Sequence, residues 1–131
     1  MNTTEKLKNS RNLLLKLHKL LVDRERASIE MDEGQLTSGQ FLNMLLNEPR
    51  LDWLRRYSTL IVEIDEMFDL DDGFSDEMVA AHLEKIRGLL NPNADDGELR
   101  LKYSLALQEN SEVAGLHAEL ANLLDDKLKG T

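Results

Sequence analysis

Leu13-Leu14-Leu15-Lys16-Leu17-His18-Lys19-Leu20-Leu21 decides how the rest of the chain reads. Leu13, Leu14, Leu17, Leu20 and Leu21 recur at the three- and four-residue spacing that stacks side chains on one face of an α-helix. Later segments repeat the pattern. Twenty-seven leucines stand against eight valines and isoleucines together, and strands favour the β-branched type, so the expected fold is all-α.

The first helix is expected from about Thr4 to Met31, with Glu33-Gly34 ending it. Thr37-Ser38-Gly39-Gln40 has the form of a capping box and opens a short second helix whose buried face is Phe41, Leu42, Leu45 and Leu46. Pro49 cannot continue that helix but suits the first turn of the next, which should run to Leu70. There, Trp53, Tyr57, Leu60, Ile61, Ile64, Met67 and Phe68 fall on one stripe. Ser75 is the expected N-cap of a fourth helix ending near Leu90, with Phe74 stapled onto Val79. Beyond the turn-rich Asn91 to Gly97, segments Glu98 to Asn110 and Ser111 to Leu128 read as two helices, with Ser111 as the second N-cap. The sequence therefore predicts one domain over residues 1–131, a four- or five-helix, mostly antiparallel bundle in which the short second helix is a lid or elbow between the two longest.

Composition narrows function mainly by exclusion. Without cysteine there are no disulfides, thiolate metal sites or thiol nucleophiles. The start Met1-Asn2-Thr3-Thr4-Glu5-Lys6 lacks the order of a secretory signal, and no run nears the ~18 apolar residues of a membrane span, so a cytoplasmic protein with no membrane contact is expected. The net charge is −9, unevenly spread: residues 1–26 hold seven Lys/Arg against three Asp/Glu, and the rest hold nine against twenty-two. Glu63 to Glu77 has acids and no Lys or Arg, which repels phosphate backbones, and the cations of the first helix scatter around it, so no nucleic-acid partner is expected.

Some polar residues sit where apolar ones belong. Arg24 projects with Ser10 and Ser28 along the leucine stripe, and a buried guanidinium needs a carboxylate or an escape to water, with Asp65 and Asp69 as the candidate partners. His82 lies amid Val79, Ile86 and Leu89, His117 amid Val113, Leu120, Ala121 and Leu124, and His18 at the margin of its stripe. Each is the pattern of a neutral, hydrogen-bonded core imidazole. The other reading joins Arg24, Tyr57, His82, Tyr103 and His117 in a polar pocket that binds a small ligand or supports catalysis. Metal chemistry is disfavoured: Leu15, Val79 and Ala114 stand three residues before the histidines, and Val22, Ile86 and Ala121 four after, so neither helical ligand pair is present. Calcium loops at Gly73 and Gly97 fail, because Phe68 and Val79, or Pro92, would occupy ligand positions. No cofactor, metal site or catalytic residue is expected.

The run Ser38-Gly39-Gln40-Phe41-Leu42 through Leu45-Leu46-Asn47-Glu48-Pro49, then Trp53-Leu54-Arg55 and Ser58 to Asp65, resembles a segment of a bacterial all-helical family to which no activity is assigned. The resemblance implies a bacterial source and a compact helical domain. In the fifth helix, Leu99, Tyr103, Ala106 and Leu107 line one side while Leu101 and Leu105 line nearly the opposite one. A helix apolar on two sides has to bury both, so it either sits between neighbours or presents one face to another subunit; together with the lack of assembled chemistry this points to a non-catalytic interaction or regulatory module that forms a homodimer and engages other proteins through helix surfaces.

Overall fold

A computed structural model describes residues 2–92 and 96–125. It is all-helical: α1 spans Thr3–Glu33, α2 Ser38–Asn47, α3 Asp52–Phe68, α4 Asp76–Leu90, α5 Gly97–Glu109 and α6 Ser111–Leu124, with a 3-10 turn at Pro49–Leu51. Among the described residues there are six helices where a four- or five-helix bundle was expected, the short α2 and the separate fifth and sixth helices having each been expected as segments. No strand occurs among the described residues.

Local chemistry sets the boundaries. Asn2 caps α1 through a 2.8 Å bond from the Glu5 amide, and the helix stops at Gly34, whose φ of 90° suits a residue without Cβ. The Thr37–Gln40 capping box forms in both directions, at 3.1 and 2.9 Å. Ser75 caps α4 as expected, its oxygen 3.2 Å from the Met78 amide. Two expectations are corrected. The α6 N-cap is Asn110, not Ser111, because the longer carboxamide reaches both the Glu112 and Val113 amides at 2.9 and 3.1 Å. Of the expected buried face of α2, Phe41 is buried and Leu45 partly so, but Leu42 and Leu46 are exposed, because α2 rests on the bundle along a narrow edge; at the next turn Phe74 meets Phe68 edge-on at 5.0 Å.

The core is built on α1, which packs against α3, α4 and α6. Its Leu7, Leu14, Leu17 and Leu21 are fully buried, facing Leu54, Tyr57, Ile61 and Ile64 of α3 in one cluster with Val79, Leu83 and Ile86 of α4 and Leu120 and Leu124 of α6. The α1–α3 pair is antiparallel: Arg11 grips Asp65 through Nε and Nη2 at 3.0 and 2.8 Å, and His18 lies against Tyr57. α5 packs on α6 and more lightly on α3, while α2 buries Phe41 and rests on α3.

Leu14 is 0% exposed and its neighbour Leu15 is 44% exposed. Leu14→Ala is expected to cost about 2–5 kcal/mol and Leu15→Ala less than about 0.5 kcal/mol. Urea unfolding followed by the fluorescence of Trp53, the one tryptophan of the chain, measures both; equal losses would show that α1 is rotated from the described packing.

Candidate functional site

Four helices bring aromatic rings to the middle of the bundle. α1 contributes His18, α3 Trp53 and Tyr57, α5 Tyr103 and α6 His117. Tyr57 is the hub, with ring centroids 6.3 Å from His18, 6.1 Å from Trp53 in an edge-on arrangement and 6.3 Å from Tyr103. Tyr103 in turn lies 5.6 Å from His117, and its hydroxyl is 2.7 Å from the imidazole Nδ1.

Three of the five residues proposed for an interior pocket therefore meet: Tyr57, Tyr103 and His117. The other two have private partners. His82 places Nδ1 2.8 Å from the Met78 carbonyl one turn back on its own helix. Arg24 forms an ion pair with Glu109 at the end of α5, not with Asp65 or Asp69. The antiparallel register explains this: Asp65 lies opposite Arg11, and Arg24 is thirteen residues further along α1, roughly 20 Å away at the helical rise. Trp53, four residues before Tyr57 on the same stripe, was legible as its neighbour, whereas nothing in the spacing of His18, read as marginal, placed it beside Tyr57.

The cluster's chemistry is that of packing and hydrogen bonding. Burial pushes the Tyr57 hydroxyl well above its ordinary range, with Tyr103 reinforcing this and Arg56 opposing it; burial does the same to Tyr103. Desolvation lowers His18 despite a compensating hydrogen bond with the Leu54 backbone, and it lowers His117 too. At neutral pH the rings are uncharged, and the Tyr103 hydroxyl shares a hydrogen bond with a neutral His117. The Tyr57 hydroxyl, Trp53 Nε1 and Ser10 Oγ are buried without a hydrogen-bond partner among the described residues. Cavities flank the cluster, one of 340 Å³ beside Trp53 and one of 320 Å³ beside His117.

A cavity of 620 Å³ is the groove between α3 and α4 lined by Arg55, Arg56, Leu60, Lys85 and Leu89. Its cations are committed: Arg56 to Asp96, Lys85 to Glu63 at 3.6 Å, and Arg55 to Asp52 and to the Leu45 carbonyl. A second groove of 480 Å³ lies between α1 and α5, where Ala27, Ser28 and Met31 face Lys102 and Leu105. Beside it, α5 turns Leu101 and Leu105 outward, 60% and 39% exposed, while Leu99, Tyr103 and Ala106 are buried. Met31 is 88% exposed.

Another polar assembly escaped the sequence reading. Arg26 donates to the Leu36 carbonyl and Glu30 accepts from the Leu36 amide, both at 2.8 Å, while the guanidinium lies 5.4 Å above the Phe41 ring. Together they tie the α1–α2 connection to α1. The one available signal was the i, i+4 spacing of Arg26 and Glu30 just before Gly34.

Among the described residues, no group of three or more His, Asp or Glu is placed to hold a metal ion, and no helix is long and apolar enough to cross a membrane. Comparison with protein families, with curated proteins and with solved structures finds no match for this chain.

Two outcomes follow from the cluster. Tyr57→Phe removes a buried hydroxyl with no partner among the described residues, so the variant should be as stable as the parent or up to about 1 kcal/mol more stable in urea unfolding. A clear loss would mean that the hydroxyl is bonded. The histidines give a pH dependence. Their folded values lie below the unfolded 6.5, so on acidification the unfolded chain takes up protons first. Their contribution is complete above about pH 6.5 and declines as the pH falls towards the folded values. The urea midpoint should drop between about pH 7 and pH 5.5, and a His18→Gln, His117→Gln double variant should flatten that slope. An unchanged slope in the double variant would assign the dependence elsewhere.

Proposed function

We propose that the protein is a non-catalytic helical interaction module of the bacterial cytoplasm that self-associates and presents helix surfaces to partner proteins. The observation that carries this reading is the outward face of α5. Leu101 and Leu105 are exposed on a helix whose opposite face is already buried against the bundle, so apolar surface is held in water for which the fold itself has no use. The groove beside it extends that surface to Met31.

Charge supports the same reading. The three arginines of the first helix are engaged internally: Arg11 with Asp65, Arg24 with Glu109 and Arg26 with Glu30 and Leu36. Around the α3–α4 turn, Glu66, Asp69, Asp71, Asp72, Asp76 and Glu77 form no ion pair among the described residues, so this end of the molecule is strongly anionic and hostile to nucleic acid. The core rings are uncharged at neutral pH and already packed on one another, which favours a structural role for them.

Light scattering coupled to gel filtration over a wide range of protein concentration tests the proposal. The mass should rise from monomer towards dimer with concentration; a monomer throughout would end the self-association reading.

A further inference from the structure

The uncovered face of α5 has a charge pattern that selects its occupant. The chain carries −9 overall, and two copies meeting at the α3–α4 turn would bring together carboxylates that form no ion pair among the described residues. α5 differs: Glu98 and Glu109 are balanced by Arg100 and Lys102. A locally neutral, partly apolar face is where an acidic chain can meet itself without a large repulsive cost.

The order of those charges fixes the direction of approach. Acids lie at the two ends of α5 and cations between them. Two copies packed in parallel would set Glu98 on Glu98, Lys102 on Lys102 and Glu109 on Glu109. Packed antiparallel, Leu101 meets the partner's Leu105, and Glu109 comes to the positive N-terminal end of the facing α5, about one turn from its Arg100. Glu109 accepts from Arg24 through Oε1, which leaves Oε2 for this contact.

Resting on the reading of α5 as a contact face, we infer that a second copy of the chain docks antiparallel on α5, with a two-fold axis midway between Leu101 and Leu105 and the α1–α5 groove at the edge of the interface. Size sets the strength of the contact. α5 has 13 residues and is about 20 Å long, so a pair of such helices alone falls short of the ~800 Å² per partner of a stable interface. The contact must draw in Met31 and the groove beside Leu105, and the dimer exchanges readily.

Because the chain lacks cysteine, single substitutions report geometry without background. Leu101→Cys and Leu105→Cys, each carrying a different mass tag, are treated with a short bismaleimide separately and as a mixture. Their exposed positions keep both variants folded, which circular dichroism checks. The antiparallel register gives several-fold more covalent dimer in the mixture, as the mixed species, than in either variant alone, and Leu101→Asp lowers the dimer fraction seen by light scattering. If the unmodified chain dimerises but the two variants cross-link separately as well as they do together, or Leu101→Asp dimerises like the parent, the α5 pairing is overturned while self-association stands. If the unmodified chain is monomeric at every concentration, both readings are overturned.

Discussion

Leu7, Leu14, Leu17 and Leu21 are all sealed from water, and that is possible because α1 is gripped by α3, α4 and α6 together. A lone helix of this composition would expose the stripe, and each buried leucine contributes roughly 1.5–3 kcal/mol relative to an exposed one. The other helices take their places from this burial. α3 and α6 approach α1 with their own apolar stripes, and α4 closes against all three. Only α2 and α5 lie outside the arrangement, and each leaves two leucines exposed: Leu42 and Leu46 on α2, Leu101 and Leu105 on α5.

Arginine does much of the joining between elements. Arg55 donates to the Leu45 carbonyl near the C-terminus of α2, Arg87 to the Leu124 carbonyl at the end of α6, and Arg26 to the Leu36 carbonyl in the α1–α2 connection. Helix ends leave carbonyls without intrahelical partners, and a planar guanidinium with five donors can serve such a carbonyl and a carboxylate at once. Arg26 with Glu30 and Arg55 with Asp52 do so. These half-exposed ion pairs add little stability individually. Their effect is positional, because each fixes where one helix stops relative to another. The three arginines of the first 26 residues thus hold α1 to α3, to α5 and to the α1–α2 connection.

What was readable in the sequence was local. Capping by Thr37 and Ser75, the turn at Pro49, the α3 stripe and the break before Ser111 depend on residues within one or two turns, and all were legible. What was not readable depended on register. The inward projection of Arg24 was visible, but its partner lies 85 residues away, and without the alignment of α1 against α3 and α5 the nearer acids Asp65 and Asp69 looked equally suitable. The interior site was half legible for the same reason. Periodicity indicated that Tyr57, Tyr103 and His117 point inward, yet it carried no information that their three helices bring the rings to one level or that His82 satisfies itself on its own helix. Asn110 displaced Ser111 as a cap on side-chain reach, which a boundary read only to within a residue does not resolve.

The ring cluster and the exposed face belong to the same helix. Tyr103 anchors α5 inward, with its hydroxyl on His117 and its ring against Tyr57, while Leu101 and Leu105 stand on the other side of that helix. At the C-terminal end, Glu109 ties α5 to Arg24, and Lys102 approaches Glu25 at 3.9 Å. A surface helix held at several points loses little freedom when something docks on it, so even a small apolar face can bind to useful effect. The buried aromatic residues thus need no catalytic role to account for their placement: rings that bury area on three sides and one hydrogen bond that fixes rotation are what a helix requires if it is to present a contact surface without moving.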